Sequence, residues 1–287
     1  MALVRVADAL RRGPSECLHT AWTCNARMDV VRLYVTSQLL LTVFLVALLW
    51  SLYARLHKQL FFWWWAWAWT FFAGFLAFGA VALRLAPEWT FFKGGVILAA
   101  VVCGFIQAPL LVFGACTLRP SGSPARRCRL IGIGVTLAAS LLSFALAFHW
   151  RGQAPTSFAI RITPRTLMLS AALFFCAWVL FGRWRRTRSW AAGITAVFCF
   201  LYALDQSYYA VFYADRLLLD LGVSVPQFFG QPRALNSLLF FLDLLCSCGI
   251  CFGTVVVLVE EHQGIPNVPC GSAASATRQS PPPARPC

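Results

Sequence analysis

Asp205 and Asp243 are acidic side chains placed inside long apolar stretches, and they are the first residues here that could do chemistry. An ionisable group at the centre of a membrane helix costs about 2.5–3.5 kcal/mol on insertion scales, so its presence points to a role. Tyr202, Tyr208 and Tyr209 lie three or four residues from Asp205 and fall on its side of a helix. Asn236, Asp243, Ser247 and Thr254 follow at spacings of 7, 4 and 7, which puts them in one narrow helical stripe. These groups suit ligand or proton binding. Two carboxylates close together in a low dielectric do not easily ionise at the same time. A plainer reading stands beside it, in which both aspartates are protonated or hydrogen-bonded and join two helices, as polar contacts in membranes do.

No residue set points to catalysis. There is no histidine cluster, no Ser–His pair and no Gly-x-Gly-Asp aspartate, so no catalytic residues, no metal site and no cofactor are expected. Cys246, Cys248 and Cys251 are close in sequence, but at about 100° per residue their side chains cannot converge on one ion from one helix. They read as small apolar residues, as do the other cysteines within apolar stretches. Gln107 precedes Pro109, whose ring removes a helical hydrogen bond. Gln107 is expected to satisfy a freed carbonyl, and to lie deeper than the aspartates and outside their pocket.

The elements that must hold these residues are helices. Seven apolar stretches cover 33–54, 60–84, 91–117, 129–149, 166–182, 189–213 and 234–259. A hydrocarbon core about 30 Å thick needs about 20 apolar residues per helix. The stretches are apolar all round, which suits helices and does not suit the alternation of a transmembrane barrel. The fifth is the shortest, with Pro164 read as its start and Arg183 as its stop. The expected fold class is therefore all-α, a polytopic integral membrane protein of seven transmembrane helices. Composition agrees: 60% of residues are hydrophobic and 12% charged, against about 25% charged in an ordinary soluble domain.

The net charge of +14 does not argue for nucleic acid. Its arginines sit between spans, where they set orientation. The most basic short segments are 118–129, with Arg119, Arg126, Arg127 and Arg129, and 183–189, with Arg183, Arg185, Arg186 and Arg188. Placing both in the cytoplasm makes the chain N-out/C-in. Residues 1–27 carry arginines that offset this bias. They lack the shape of a signal peptide, and Met28, just before the first span, is an alternative start. With this orientation both aspartates lie about 12 Å below the outer surface at 1.5 Å per residue. No lysine or arginine is expected deep enough in a span to neutralise them. The block FFWWWAWAWTFF (61–72) reads chiefly as an interfacial anchor, with an aromatic cage as the minor alternative. Gly249 and Gly253 form a small-xxx-small pair that lets another helix approach. The outer connections 150–166 and 214–233 are the longest, and RLLLDLGV in the second is expected to form an interfacial helix over the bundle.

The domain division is 1–27, an N-terminal extension; 28–263, a seven-helix membrane domain; and 264–287, a Pro-, Ser- and Ala-rich cytoplasmic tail too poor in apolar residues to fold. Three segments carry a resemblance: FFWWWAWAWTFFAGF (61–75), LYALDQSYYAVFY (201–213) and FLDLLCSCGICFGTVVVLVEEHQ (241–263). Together they resemble the N-terminal seven-helix sensor region of bacterial signalling proteins that continue into histidine kinases or diguanylate cyclases. The likeness covers about 28–263. No Gly-Gly-Asp-Glu-Phe loop, phosphoacceptor helix or ATP-binding region follows.

The resemblance implies a sensory input module of the inner (plasma) membrane, relaying a small ligand, pH or membrane state through its last helix. Its partners would be the lipid bilayer, a separate cytoplasmic kinase or cyclase, and a second copy of the chain. Asp205, Asp243, Tyr202, Tyr208, Tyr209, Asn236 and Ser247 are the expected ligand-binding residues. The rival readings are a small-solute transporter or channel, and a non-catalytic subunit of a membrane complex.

Overall fold

Where water is excluded, each backbone N–H and C=O must find its partner within its own segment, and a long apolar run meets that demand as a helix. The computed structural model describes residues 14–55, 60–85, 90–119, 124–223 and 233–263, with side chains from Leu33 onward except 34, 154, 155, 233–240, 258 and 261–263. Among them are seven helices and no strand: α1 Pro14–Arg55, α2 Leu60–Arg84, α3 Phe91–Thr117, α4 Arg126–His149, α5 Ala154–Thr187, α6 Trp190–Asp220 and α7 Arg233–Gln263. The fold is all-α. Six helices are long and apolar enough to cross a membrane, the first of them over Val35–Arg55. In α7 the described apolar run is shorter, Phe241–Val257. Such helices mark a multi-pass membrane protein. The tail from 264 onward and the first 13 residues lie outside the described residues.

Local chemistry sets several boundaries. The Thr90 hydroxyl accepts from Lys93 N at 3.2 Å and caps α3, and the Ser189 hydroxyl accepts from Ala192 N at 3.1 Å and caps α6. Arg188 ends α5 in the left-handed region at φ 56°. Two expectations fail. The fifth helix begins at Ala154, twelve residues before 166, with Pro155 in its first turn, where a missing N–H costs nothing. Pro164 lies inside the helix. The 216–220 segment is the last turn of α6 and not a separate cap, because the helix runs on to Asp220.

Consecutive helices run antiparallel. Gly74 faces Cys103 and Gly114 faces Trp65 between α2 and α3. The Thr156 hydroxyl donates to Asp220 at 2.9 Å between the start of α5 and the end of α6. Helices α1, α2, α3, α5, α6 and α7 close into a ring, and α5 packs most extensively on α6. An odd number of helices makes α1 and α7, the pair that closes the ring, run parallel. The largest apolar core draws its buried residues from these six helices. Helix α4 stands outside, packed on α3 and α5. Its buried residues, Thr136, Ser140, Ser143 and Ala147, form one stripe of small side chains, and its other faces carry exposed Leu and Val.

The tryptophan block is core, which corrects the interfacial-anchor reading. Trp64, Trp65, Trp69 and Phe72 are buried, and the Trp65 ring occupies space that Gly114 leaves open. Three adjacent tryptophans do spread around α2, but most of that circumference is covered by α1 and α3.

Candidate functional site

The register of α6 against α7 fixes the depth of both aspartates. Ser189 donates to Glu260 at one end of the pair. Further along, a Cβ on Gly253 would collide with Thr195, and one on Gly249 with the Phe198 ring. Glycine fits both places because the Phe198 ring and the Thr195 side chain occupy the space that a methyl group would take. Continued along antiparallel helices, the same pairing sets Asp243 opposite Asp205. Both are buried, at 7% and 2% exposure.

Beside Asp243 lies a cavity of about 170 Å³, lined as well by the early turns of α5 and the later turns of α6. The Gln38 side chain of α1 donates from Nε2 to Asp243 Oδ2 at 2.6 Å. The Tyr202 hydroxyl of α6 hydrogen-bonds Asp243 as well. Gln206 donates to Asp205 Oδ2 at 3.2 Å, and Asp205 Oδ1 has no hydrogen-bond partner among the described residues. Asp243, Tyr202, Tyr209, Gln38 and Gln206 line the cavity.

Arg165 lines it too, at 6% exposure. This overturns the expectation that no cation reaches the aspartates' level. Because α5 continues through Pro164, Arg165 falls well inside the bundle and not in an outer loop. Its guanidinium lies 3.9 Å from the Phe75 ring centroid and 5.9 Å from that of Phe72, a cation–π arrangement suited to a desolvated charge. Its Nη2 donates to Gln107 Oε1 at 3.4 Å. Gln107 itself does not line the cavity and reaches it only through Arg165. Gly104 makes the placement possible, since a Cβ there would lie 2.6 Å from Arg165 Nε.

The other expected residues divide. Tyr209 lines the cavity, and its hydroxyl has no partner among the described residues. Tyr208 does not line it and stacks on Phe212. Ser247 is buried, with Oγ unpartnered among the described residues, and also lies off the cavity. The side chain of Asn236 lies outside the described residues. Cys246 and Cys251 are buried and Cys248 is half-buried. No group of three or more His, Cys, Asp or Glu able to hold a metal ion occurs among the described residues.

The signals for Arg165 and Gln38 were weak. Gln38 sits near the start of an apolar run, where a polar residue is ordinary, and Arg165 follows a proline that reads as a boundary. Among the described residues, the site presents one guanidinium, two carboxylates, three amides and tyrosine hydroxyls inside a ring of helices. Such groups can hold a small polar molecule and bias the helices that carry them. The chain matches no protein-family model, no curated protein and no solved structure.

Proposed function

We propose that this chain is a membrane sensory input module, with seven spans, its N-terminus outside and its C-terminus in the cytoplasm of a bacterial inner membrane. It would act without catalysis of its own. The resemblance of residues 28–263 to the sensor regions of bacterial kinases and cyclases supplies the class. One structural observation carries the mechanism: Asp243, on the last helix, is held at the cavity by Gln38 of α1 and Tyr202 of α6. Whatever occupies the cavity competes for these contacts and so acts on α7. Differential affinity for two packings of α6 and α7 then shifts their populations.

The output end fits the same reading. Glu260, near the end of α7, is bound by Ser189, the residue that caps α6. A change in how α7 sits on α6 would be felt there, at the cytoplasmic exit, where a separate output protein would dock.

The test needs no ligand. Spin labels on Arg186 and Val259, both exposed, report the distance between the α5 end and the α7 exit in lipid nanodiscs. Asp243→Asn and Arg165→Met are expected to redistribute that distance relative to the unaltered cavity. Identical distributions in all three proteins would mean the cavity does not speak to the exit, and the sensory reading would fall.

A further inference from the structure

Helices α5 and α6, the most extensively packed pair, leave a groove of about 450 Å³ on the lipid-facing side of the bundle. Every residue lining it is apolar. Ala177 and Ala196, both buried, form its floor. Phe174, Trp178 and Phe181 of α5 and Val197 and Phe200 of α6 form its walls. Trp178 is 65% exposed, so the groove opens toward hydrocarbon and not toward the bundle interior. One end of the groove is basic. Phe174, Trp178, Phe181 and Arg185 follow at spacings of 4, 3 and 4, which puts them in one stripe of α5. Arg185 therefore stands one turn past the groove, about 6 Å at 1.5 Å per residue, with Arg186 and Arg188 beside it, and all three are exposed. Trp184, packed over Gly193, and Trp190, exposed at the start of α6, mark the headgroup level at this edge.

A fourth guanidinium touches the wall itself. Arg119, just past the end of α3, lies 4.8 Å from the Trp178 ring centroid and 4.6 Å from that of Phe175. Among the described side chains the one carboxylate at this edge is Glu260, and Ser189 binds it. We propose that the groove is a binding site for an anionic phospholipid, with one acyl chain along Phe174 to Phe181 and the phosphate at Arg185 and Arg188. The guanidinium fork matches phosphate geometry, and basic sites at the cytoplasmic ends of membrane helices take anionic headgroups. An apolar cavity of about 150 Å³ holds benzene, so about 450 Å³ has room for a length of acyl chain. The competing occupant is a second copy of the chain. Two copies insert the same way up, so pairing through this groove would bring both arginine clusters to one level, where like charges repel. An anionic headgroup neutralises the cluster instead.

This site is separate from the cavity between α5, α6 and α7 and does not depend on the sensory reading. The probes are phosphatidylglycerol and phosphatidylcholine carrying the same photoreactive acyl chain. Each is mixed into nanodiscs of unlabelled phosphatidylcholine holding the full chain, and cross-linked peptides are mapped by mass spectrometry. Phosphatidylglycerol is expected to label residues 174–200 at least about tenfold more than phosphatidylcholine. Arg185→Gln with Arg188→Gln should abolish that preference. Arg126→Gln with Arg127→Gln removes the same charge from exposed positions at the start of α4 and should leave it intact. Val197→Trp, which fills the groove from an exposed wall position, should cut labelling by phosphatidylglycerol at least about tenfold.

The comparison of the two lipids on the unaltered chain decides the matter even if a variant fails to fold. Equal labelling by both lipids overturns the proposal, since the groove then holds ordinary bulk lipid. A preference lost to the same degree with either arginine pair overturns it as well, since net charge and not the groove would set the preference. Excess inorganic phosphate should leave the labelling unchanged, and displacement by it would assign the arginines to a free anion. Cross-links between copies from a photoreactive residue at Val197, in place of lipid labelling, would give the groove to a second copy and overturn the proposal too.

Discussion

The Ser143 hydroxyl of α4 donates to the backbone carbonyl of Ile160 in α5 at 3.1 Å. That carbonyl lies four residues before Pro164, which has no N–H to return. A proline inside a membrane helix is tolerated when a neighbouring helix satisfies the group it frees, and Ser143 is that neighbour. The bond keeps α5 continuous, and a continuous α5 carries Arg165 into the bundle.

Removing the donor should therefore cost stability at a distance from the cavity. Ser143→Ala is expected to destabilise the fold by about 1–2 kcal/mol, within the range of interhelical hydrogen bonds in membranes. With Pro164→Ala present, Ile160 regains its helical donor and the cost should fall toward zero. Denaturation of the two single variants and the double in bicelles measures the coupling. Equal losses in both backgrounds would show that Ser143 acts otherwise.

Gly104 gives a second test of how Arg165 is held. Gly104→Ala puts a methyl group where the arginine stem lies, and overpacking of this kind costs about 1–3 kcal/mol. Gly79 of α2 has open space around it, so Gly79→Ala should be neutral or gain up to about 1 kcal/mol from helix propensity. Thermal unfolding in nanodiscs compares the two, and a Gly104→Ala as stable as Gly79→Ala would contradict the packing described.

The charges of the site should behave as a set. Arg165→Met leaves two buried carboxylates without their cation and is expected to destabilise by about 3–5 kcal/mol, as removal of one member of a buried charge group does. Adding Asp205→Asn removes one of the negative charges and should recover a measurable part of that loss. A double variant as unstable as the sum of the singles would mean that Arg165 and Asp205 are energetically independent.

How much of this was legible from residue order varies by segment. The α2 and α3 limits, 60–84 and 91–117, could be read because the apolar runs end at Arg84 and near Thr117. The shared depth of Asp205 and Asp243 could be read because it depends only on helix rise and one connection. The start of α5 could not. Thr156, Ser157 and Arg161 make its first turns look like a loop, and what makes them helical is tertiary: Ser157 donates to Ala147 O and Thr156 to Asp220. Arg165, Gln38 and Gln107 stayed outside the expected site for the same reason. Their meeting depends on which helices are neighbours, and spacing along one helix says nothing about that. The burial of Trp65 and Trp69 was hidden likewise, since an aromatic run suits both an interface and a core.

At the far end of α6, Ser189 performs two tasks, capping the helix and binding Glu260. Ser189→Ala should cost about 1 kcal/mol for the lost cap and loosen the α7 exit. Ser189→Asn can cap and still donate to Glu260, so it should restore both. Ser189→Asp caps but repels Glu260, so it should keep α6 and release α7. Mobility of a spin label on Val259 separates these outcomes, and equal mobility in the Asn and Asp variants would exclude a role for the bond.

Cys128 is exposed near the start of α4, on the face proposed as cytoplasmic. In a chain with Cys17, Cys24, Cys270 and Cys287 changed to serine, a membrane-impermeant maleimide should label Cys128 only after intact cells are permeabilised. Labelling without permeabilisation would reverse the proposed orientation.

Of the six helices in the ring, two neighbouring pairs point the same way, α3 with α5 and α1 with α7. Among the described residues, the contact of α1 with α7 is the slightest between any two touching helices, with Gln38 and Asp243 bridging it. This makes the α1–α7 seam the place where the ring parts at least cost. The cavity lies beside it, lined by Gln38 on one side of the seam and Asp243 on the other.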